Sequence, residues 1–251
     1  MFLNNIHAPT HNIEPNAILL PDGQTYLQTV LNTFSNVYAI YPLNETSGIT
    51  AEETINNFDG TYNGPTLNSI AGPGASMGNA AFYDGLVDYC QLPAASLDGP
   101  FDPNLGTMMI WLKVFNAGVW TDLTLRYGVI IAQGSSNRIA ILKSSANNTI
   151  RCQVVAGGTN NPVDITISST GWNCFGLTWN KTENRIRAYL NGTQQGIDIA
   201  YNGIWAGSLV NAGCQIGAFS GASFWHGYPS FLMLSSAEAT AAQMAAGAIA
   251  A

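Results

Sequence analysis

Residues 171–192 read GWNCFGLTWNKTENRIRAYLNG, and their pattern decides the fold. Phe175, Leu177 and Trp179 alternate with Cys174, Gly176 and Thr178. After the polar break at 180–184, Ile186, Ala188 and Leu190 alternate with Arg185, Arg187 and Tyr189. Successive side chains of a strand point to opposite faces, so this period of two on both sides of a short loop predicts a half-buried β-hairpin. Asn191-Gly192 supplies the positive φ angles of a tight second turn. A hairpin with one apolar face needs strands beside it and a second layer over it.

The rest of the chain provides them. Residues 107–114 (TMMIWLKV) form a continuous apolar run, as in a central strand covered on both faces. Shorter strand-like runs fall at 37–43, 80–83, 87–92, 129–133, 138–143, 149–155, 164–168, 195–199, 214–218 and 225–234. Residues 44–79 and 93–106 are rich in turn chemistry and read as loops. About a dozen short strands with helix only near the ends predict an all-β sandwich of two antiparallel sheets. A short helix is expected at 25–35, capped by Asp22, with Leu27, Val30, Leu31 and Phe34 as its apolar stripe. Another is expected in the Ala-rich tail, capped by Ser235 or Ser236.

Residues 1–24 read as an N-terminal arm ahead of one large domain, 25–251. Pro9, Pro15 and Pro21 interrupt this arm, yet Phe2, Leu3, Ile6, Ile13, Ile18, Leu19 and Leu20 make it more apolar than a solvated tail. Those residues are its candidate partner contacts. Pro9 between His7 and His11 breaks the helix that would make them a metal pair.

Apolar residues are 47% of the chain and charged residues only 9%. Ten Tyr, ten Phe and six Trp demand burial, which excludes disorder. No apolar run approaches the roughly 20 residues of a membrane-spanning helix, so membrane insertion is not expected. The net charge of −7 and the scattered basic residues provide no nucleic-acid groove. The N-terminus lacks the basic flank and apolar core of a signal peptide. Cys90, Cys152, Cys174 and Cys214 lie in strand-like runs without C-x-x-C spacing and read as buried thiols, with a cross-strand disulfide as the minority alternative.

The order of these landmarks resembles the laminin-G-like, concanavalin A-like jelly-roll family. YAIYPLNETSG (38–48) resembles its opening strand, and FDGTYNG (58–64) its next turn. AAFYDGLVDYCQLP (80–93) is similar to its strand pair, the 107–114 run to its tryptophan strand, and the 171–192 hairpin to its Asn-Gly hairpin. Residues 214–247 are similar to its closing segment. The helix with Tyr26 and Val30 running into the first strand resembles versions found in bacteriophage virion proteins. The resemblance implies a concanavalin A-like jelly roll and says little about ligand. It also allows a structural calcium, for which the loops at 57–59 and 84–88 offer oxygens, but no ligand spacing is present and solvated turns are the leading reading of those loops; no cofactor is required.

Glycosidases on such folds need two carboxylates close together over the scissile bond. Glu52-Glu53 would face opposite ways on a strand, and Asp84 and Asp88 read as turn aspartates. Gly74–Gly78 matches G-x-S-x-G but lacks the strand before and helix after that a nucleophile elbow requires. No enzymatic activity is therefore expected. Sugar binding needs exposed aromatic faces, and the candidates near Gly- or Asn-rich turns are Trp120, Tyr127, Trp205, Trp225, His226 and Tyr228, for which core or interface packing is the leading alternative because aromatics in a sandwich are usually buried. Trp111, Trp172 and Trp179 are assigned to the core.

Two functions follow as expectations. The first is a non-enzymatic structural protein on the surface of a virus particle. It would be a decoration (cement) or tail protein, homo-oligomeric and attached through the arm to the major capsid protein or another virion component. The second is a lectin-like module that recognises a host surface glycan. A β-glucanase is a distant third.

Overall fold

The computed structural model describes residues 25–249. The arm at 1–24, with its candidate contacts, Asp22 and the His7/His11 pair, lies outside the described residues.

Two antiparallel sheets of eight strands pack face to face. The first sheet runs β14 (Thr193–Ile199), β13 (Arg185–Leu190), β12 (Asn173–Asn180), β7 (Leu105–Val114), β16 (His226–Ser235), β5 (Asn79–Asp84) and β4 (Thr66–Ala71). Strand β1 (Val37–Tyr41) pairs with the far end of β16. The second sheet runs β11 (Thr159–Thr166), β10 (Thr149–Ala156), β9 (Asn137–Lys143), β8 (Arg126–Gly134), β15 (Gln215–Ile216), β6 (Tyr89–Gln91), β3 (Gly60–Asn63) and β2 (Thr50–Ala51).

The predicted hairpin is present. Phe175 pairs with Leu190 and Trp179 with Ile186, and Asn191 and Gly192 have φ of 48° and 78°. Phe175, Leu177 and Trp179 enter the core between the sheets with Ile110 and Leu112 of β7 and with Ile131, Ile141 and Val154 of the second sheet. The hairpin is not half-buried, however. A second apolar cluster covers its other face, joining Cys174 and Tyr189 to Met109, Trp111 and Met233. Two helices supply the cover: α1 (Tyr26–Thr33) and, at the other end of the chain, α4 (Ala241–Gly247). Tyr26, Val30 and Phe34 of the α1 segment and Met244 of α4 belong to this cluster. Trp111 Nε1 donates to Tyr26 Oη at 2.8 Å, and Tyr26 Oη donates to the Gly247 carbonyl, so both helices are tied to one strand. Gly176 lies under Met244, where a Cβ would collide with the Met244 side chain.

The helix details correct the expectations. Thr25 caps α1: its hydroxyl accepts from Gln28 N–H and the Gln28 side chain accepts from Thr25 N–H. The buried stripe is Tyr26–Val30–Phe34 at i, i+4 and i+8, whereas Leu31 is 42% exposed. Thr240 and Gln243 form the same reciprocal cap on α4; Ser235 instead lies in β16 and donates to the Ser35 carbonyl. The stretch expected as loop at 44–79 contains β2, β3 and β4, and the 93–106 connector contains α2 (Ala94–Asp98). Trp172 is only partly buried, with its indole N–H on the Ala71 carbonyl. The four cysteines are buried and unbridged, and burial pushes each thiol up.

Candidate functional site

The sequence-nominated aromatics do not form one site. Trp120 and Trp225 are core residues, 2% and 0% exposed. Trp120 sits in α3 (Gly118–Thr121), with its indole N–H on the Ser169 carbonyl. The backbone N–H of Trp225 bonds the Gly217 carbonyl, which turns the ring inward just before β16. Trp205 lies half-buried against Phe101, ring centres 5.4 Å apart. His226 and Tyr228 do come together, on the outer face of the first sheet, with two rings that sequence reasoning missed. Phe82 lies 5.3 Å from Tyr228, and Phe115 stacks on His226 at 4.8 Å. Phe115 is 49% exposed, and Lys113 stands 5.9 Å over the Tyr228 ring. Burial, and then the charge of Arg126, hold the His226 imidazole below its usual pKa.

Tyr127 occupies a different place, the outer face of the second sheet. Residues alternate along β8 and β9 so that Val129, Ile131, Ile139 and Ile141 enter the core. Tyr127, Ile130, Ala132, Ala140 and Leu142 form a separate apolar floor on the outside. Register extends that floor sideways: Ala140 pairs with Gln153 of β10, and Gln153 with Pro162 of β11. The loop after β15 makes a wall: Gly221 N–H bonds Gln215 Oε1 and Tyr127 N–H bonds the Ser223 carbonyl. This places the Phe219 ring 5.2 Å from that of Tyr127. At one end of the face is a depression of about 350 Å³, lined by Gly134, Ser135, Ala212, Gly213 and Phe219 among others.

Polar groups stand unpartnered over this floor. Gln153 is 2% exposed, and its amide bonds to none of the described residues. Arg138, on the outer face beside Ala132 and Val155, donates through Nη1 to the Ser135 carbonyl, while its buried Nε has no partner. Burial pushes the Tyr127 phenol up in pKa, and the Arg138 charge pulls it part of the way back. The carboxylate on this face is Asp164, held by Arg151 through a fork of 2.7 and 2.8 Å.

The oxygens nominated for calcium serve the backbone. Asp59 Oδ1 accepts the Glu53 N–H. Burial opposes ionisation of Asp84, but the amides of Leu86, Val87 and Asp88 outweigh it and hold its carboxyl below the usual range. Asp88 accepts the Asp84 N–H in return. Among the described residues no three His, Cys, Asp or Glu side chains gather around one point. Glu53, half of the adjacent acidic pair, is 4% exposed and accepts backbone N–H groups from Ile40, Ile55, Asn56 and Phe58.

Neither a protein-family model nor a curated sequence relative matches the chain. Solved structures do. Domain 4 of a GH43 extracellular arabinanase from Geobacillus stearothermophilus, solved with arabinotriose, superposes with a TM-score of 0.63 at 18% identity; the match covers 85% of this chain and 98% of that one. A Trypanosoma rangeli sialidase in complex with sialic acid matches at TM-score 0.60 and 11% identity over 84% of this chain. The receptor-binding domain of a mosaic serotype C/D botulinum neurotoxin matches at 0.63 and 11% over 84% of this chain. The matches span 32% of the sialidase and 49% of the toxin domain. At these identities the likeness is one of fold: it bears on the two-sheet sandwich, and it carries no link to phage proteins.

Proposed function

We propose that the protein is a carbohydrate-binding module without catalytic activity, and that it binds on the outer face of the second sheet. The observation that carries this reading is the depression on that face, where the half-buried Phe219 ring and the exposed Ser135 and Ser220 line one hollow. Sugars present C–H patches and hydroxyls together, and such a surface answers both: the ring meets the C–H groups, and the two serines meet the hydroxyls. The match to an arabinanase domain crystallised with arabinotriose, over nearly the whole of that domain, supports a glycan ligand over a virion role. Asp164 is tied to Arg151, which removes it as a free carboxylate and argues against hydrolysis. In a titration of the chain against a panel of arabino-, gluco- and galacto-oligosaccharides, at least one is expected to bind. Phe219→Ala should weaken that binding about 3- to 10-fold, the value of one aromatic contact. Silence across the panel, or full affinity in Phe219→Ala, would count against the reading.

The exposed ring of Phe115, with the half-buried Phe82 beside it, favours a second reading, a contact with protein subunits in an assembled particle. On that reading Phe82→Ser with Phe115→Ser releases the chain from particles in a density gradient. Unchanged co-sedimentation of the double variant would oppose it.

A further inference from the structure

We propose that the saccharide bound on the second sheet is acidic, and that its carboxylate is held by Arg138. The inference deepens the carbohydrate reading and rests on it. Arg138 differs from the other arginines of the chain. Of the five, Arg126 pairs with Asp122, Arg151 with Asp164, Arg185 with Glu238 and Arg187 with Asp198, each at 2.7 Å. Arg138 has no carboxylate partner among the described residues, although the chain carries 15 acidic residues against 8 basic ones. It is not a solvated surface arginine either: it lies half-buried on a sheet face, with Nε sealed from solvent and bonded to nothing. A guanidinium presents its donors as a planar fork that matches two carboxylate oxygens, and leaving a buried donor unmade is costly.

The surroundings fit one sugar ring bearing an acid group. Arg138 holds the Ser135 carbonyl, and Ser135 lines the depression, so the guanidinium sits at its edge. The volume of about 350 Å³ is in the range of small-ligand sites. Gly134, Ala212 and Gly213 leave backbone and little side chain on its walls, and Phe219 offers a ring. Asp164, which would repel an anion, lies in the register row of Leu142, four residues along β9 from Arg138 and roughly 13 Å away at strand spacing. Its charge is also neutralised by Arg151.

Two sugar classes share this chemistry, the uronates and the sialic acids. The test is calorimetric titration of the full chain with a glucuronic-acid disaccharide, with N-acetylneuraminic acid and with a neutral glucose disaccharide. At least one acid should bind ten-fold or more tighter than the neutral sugar, and the acid that binds identifies the class. Arg138→Gln should cost that acid about 10- to 100-fold, the worth of a forked charge-assisted contact, and should cost the neutral sugar far less. Arg138→Lys keeps the charge without the fork and should fall between. A melting curve verifies the fold of each variant. Neutral sugars binding as tightly as acids, or Arg138→Gln binding acids like the parent chain, would overturn the acid inference while the carbohydrate reading stands. Silence towards all three, and towards the wider oligosaccharide panel, removes both.

Discussion

Trp225→Ala is expected to lose about 3–5 kcal/mol of stability, the usual cost of emptying a large buried aromatic site. Trp225 is fully buried in the core between the sheets and is among its largest side chains. It stands where the loop after β15 enters β16: its N–H is bound to Gly217, and Gly217 itself is pressed against the Tyr83 ring. Neither neighbour can move in to fill the gap without breaking strand pairing, so little of the cavity can collapse. Trp225→Phe should recover most of the loss, because it refills the ring volume and removes an indole N–H that has no partner. Chemical denaturation with an unchanged slope reads the effect as stability alone. Sugar affinity of the folded fraction should not change. A Trp225→Ala chain that melts like the parent but loses sugar binding would restore Trp225 to the ligand surface.

The second large effect is at Glu53. Oε1 accepts the N–H groups of Ile40 and Ile55 at 2.8 Å, and Oε2 those of Asn56 and Phe58 at 2.6 and 3.3 Å. One buried carboxylate therefore closes the loop between β1 and β3 onto the edge of β1. Removing it strands four donors, each of which costs about 1–3 kcal/mol when left dry. Water will reach some of them, so Glu53→Ala should lose about 3–5 kcal/mol in total. Glu53→Gln keeps the shape but turns an NH₂ toward two N–H donors, and should lose about half as much. Amide exchange at Ile40, Ile55, Asn56 and Phe58 should quicken in both. A loss under 1 kcal/mol in Glu53→Ala would mean that the loop holds by packing instead.

Period-two alternation made the hairpin, β8, β9 and β10 legible in advance, because each has a core face that only apolar residues can occupy. It could not reveal β3 and β4. Their pairs with β6 and β5 form at sheet margins, and the burial of β4 is too slight to leave an apolar signature. Alternation also misjudged the hairpin's second face, since a cover formed by helices from both ends of the chain is tertiary information. The aromatic nominations are divided between places for a related reason: nearness to a turn in sequence does not say which way a ring points, and Trp120 and Trp225 point into the core. Tyr127 alone among them reached the proposed binding face. The signal for that face was present in another form. Ala132 and Ala140 put small residues at outward strand positions, and Arg138 stands two residues from Ala140 with no acid opposite it in either neighbouring strand. The inward or outward sense of those positions becomes clear only once the two sheets are assembled.

Strand β16 lies in the middle of the first sheet and bonds to β7 on one side and to β5 and β1 on the other. It is also the last strand of the sandwich in chain order. Until about residue 235 has emerged, the first sheet is three unjoined pieces, and the growing chain must hold its exposed edges apart. Val37 meets Ser235, 198 positions further along the chain. Contacts so distant along the chain slow closure and prolong the interval in which open edges can find other chains. Helix α4, which follows β16 in the chain, then lies down over the completed sheet like a latch, so removal of residues 237–249 would leave a finished sandwich with its apolar outer face uncovered.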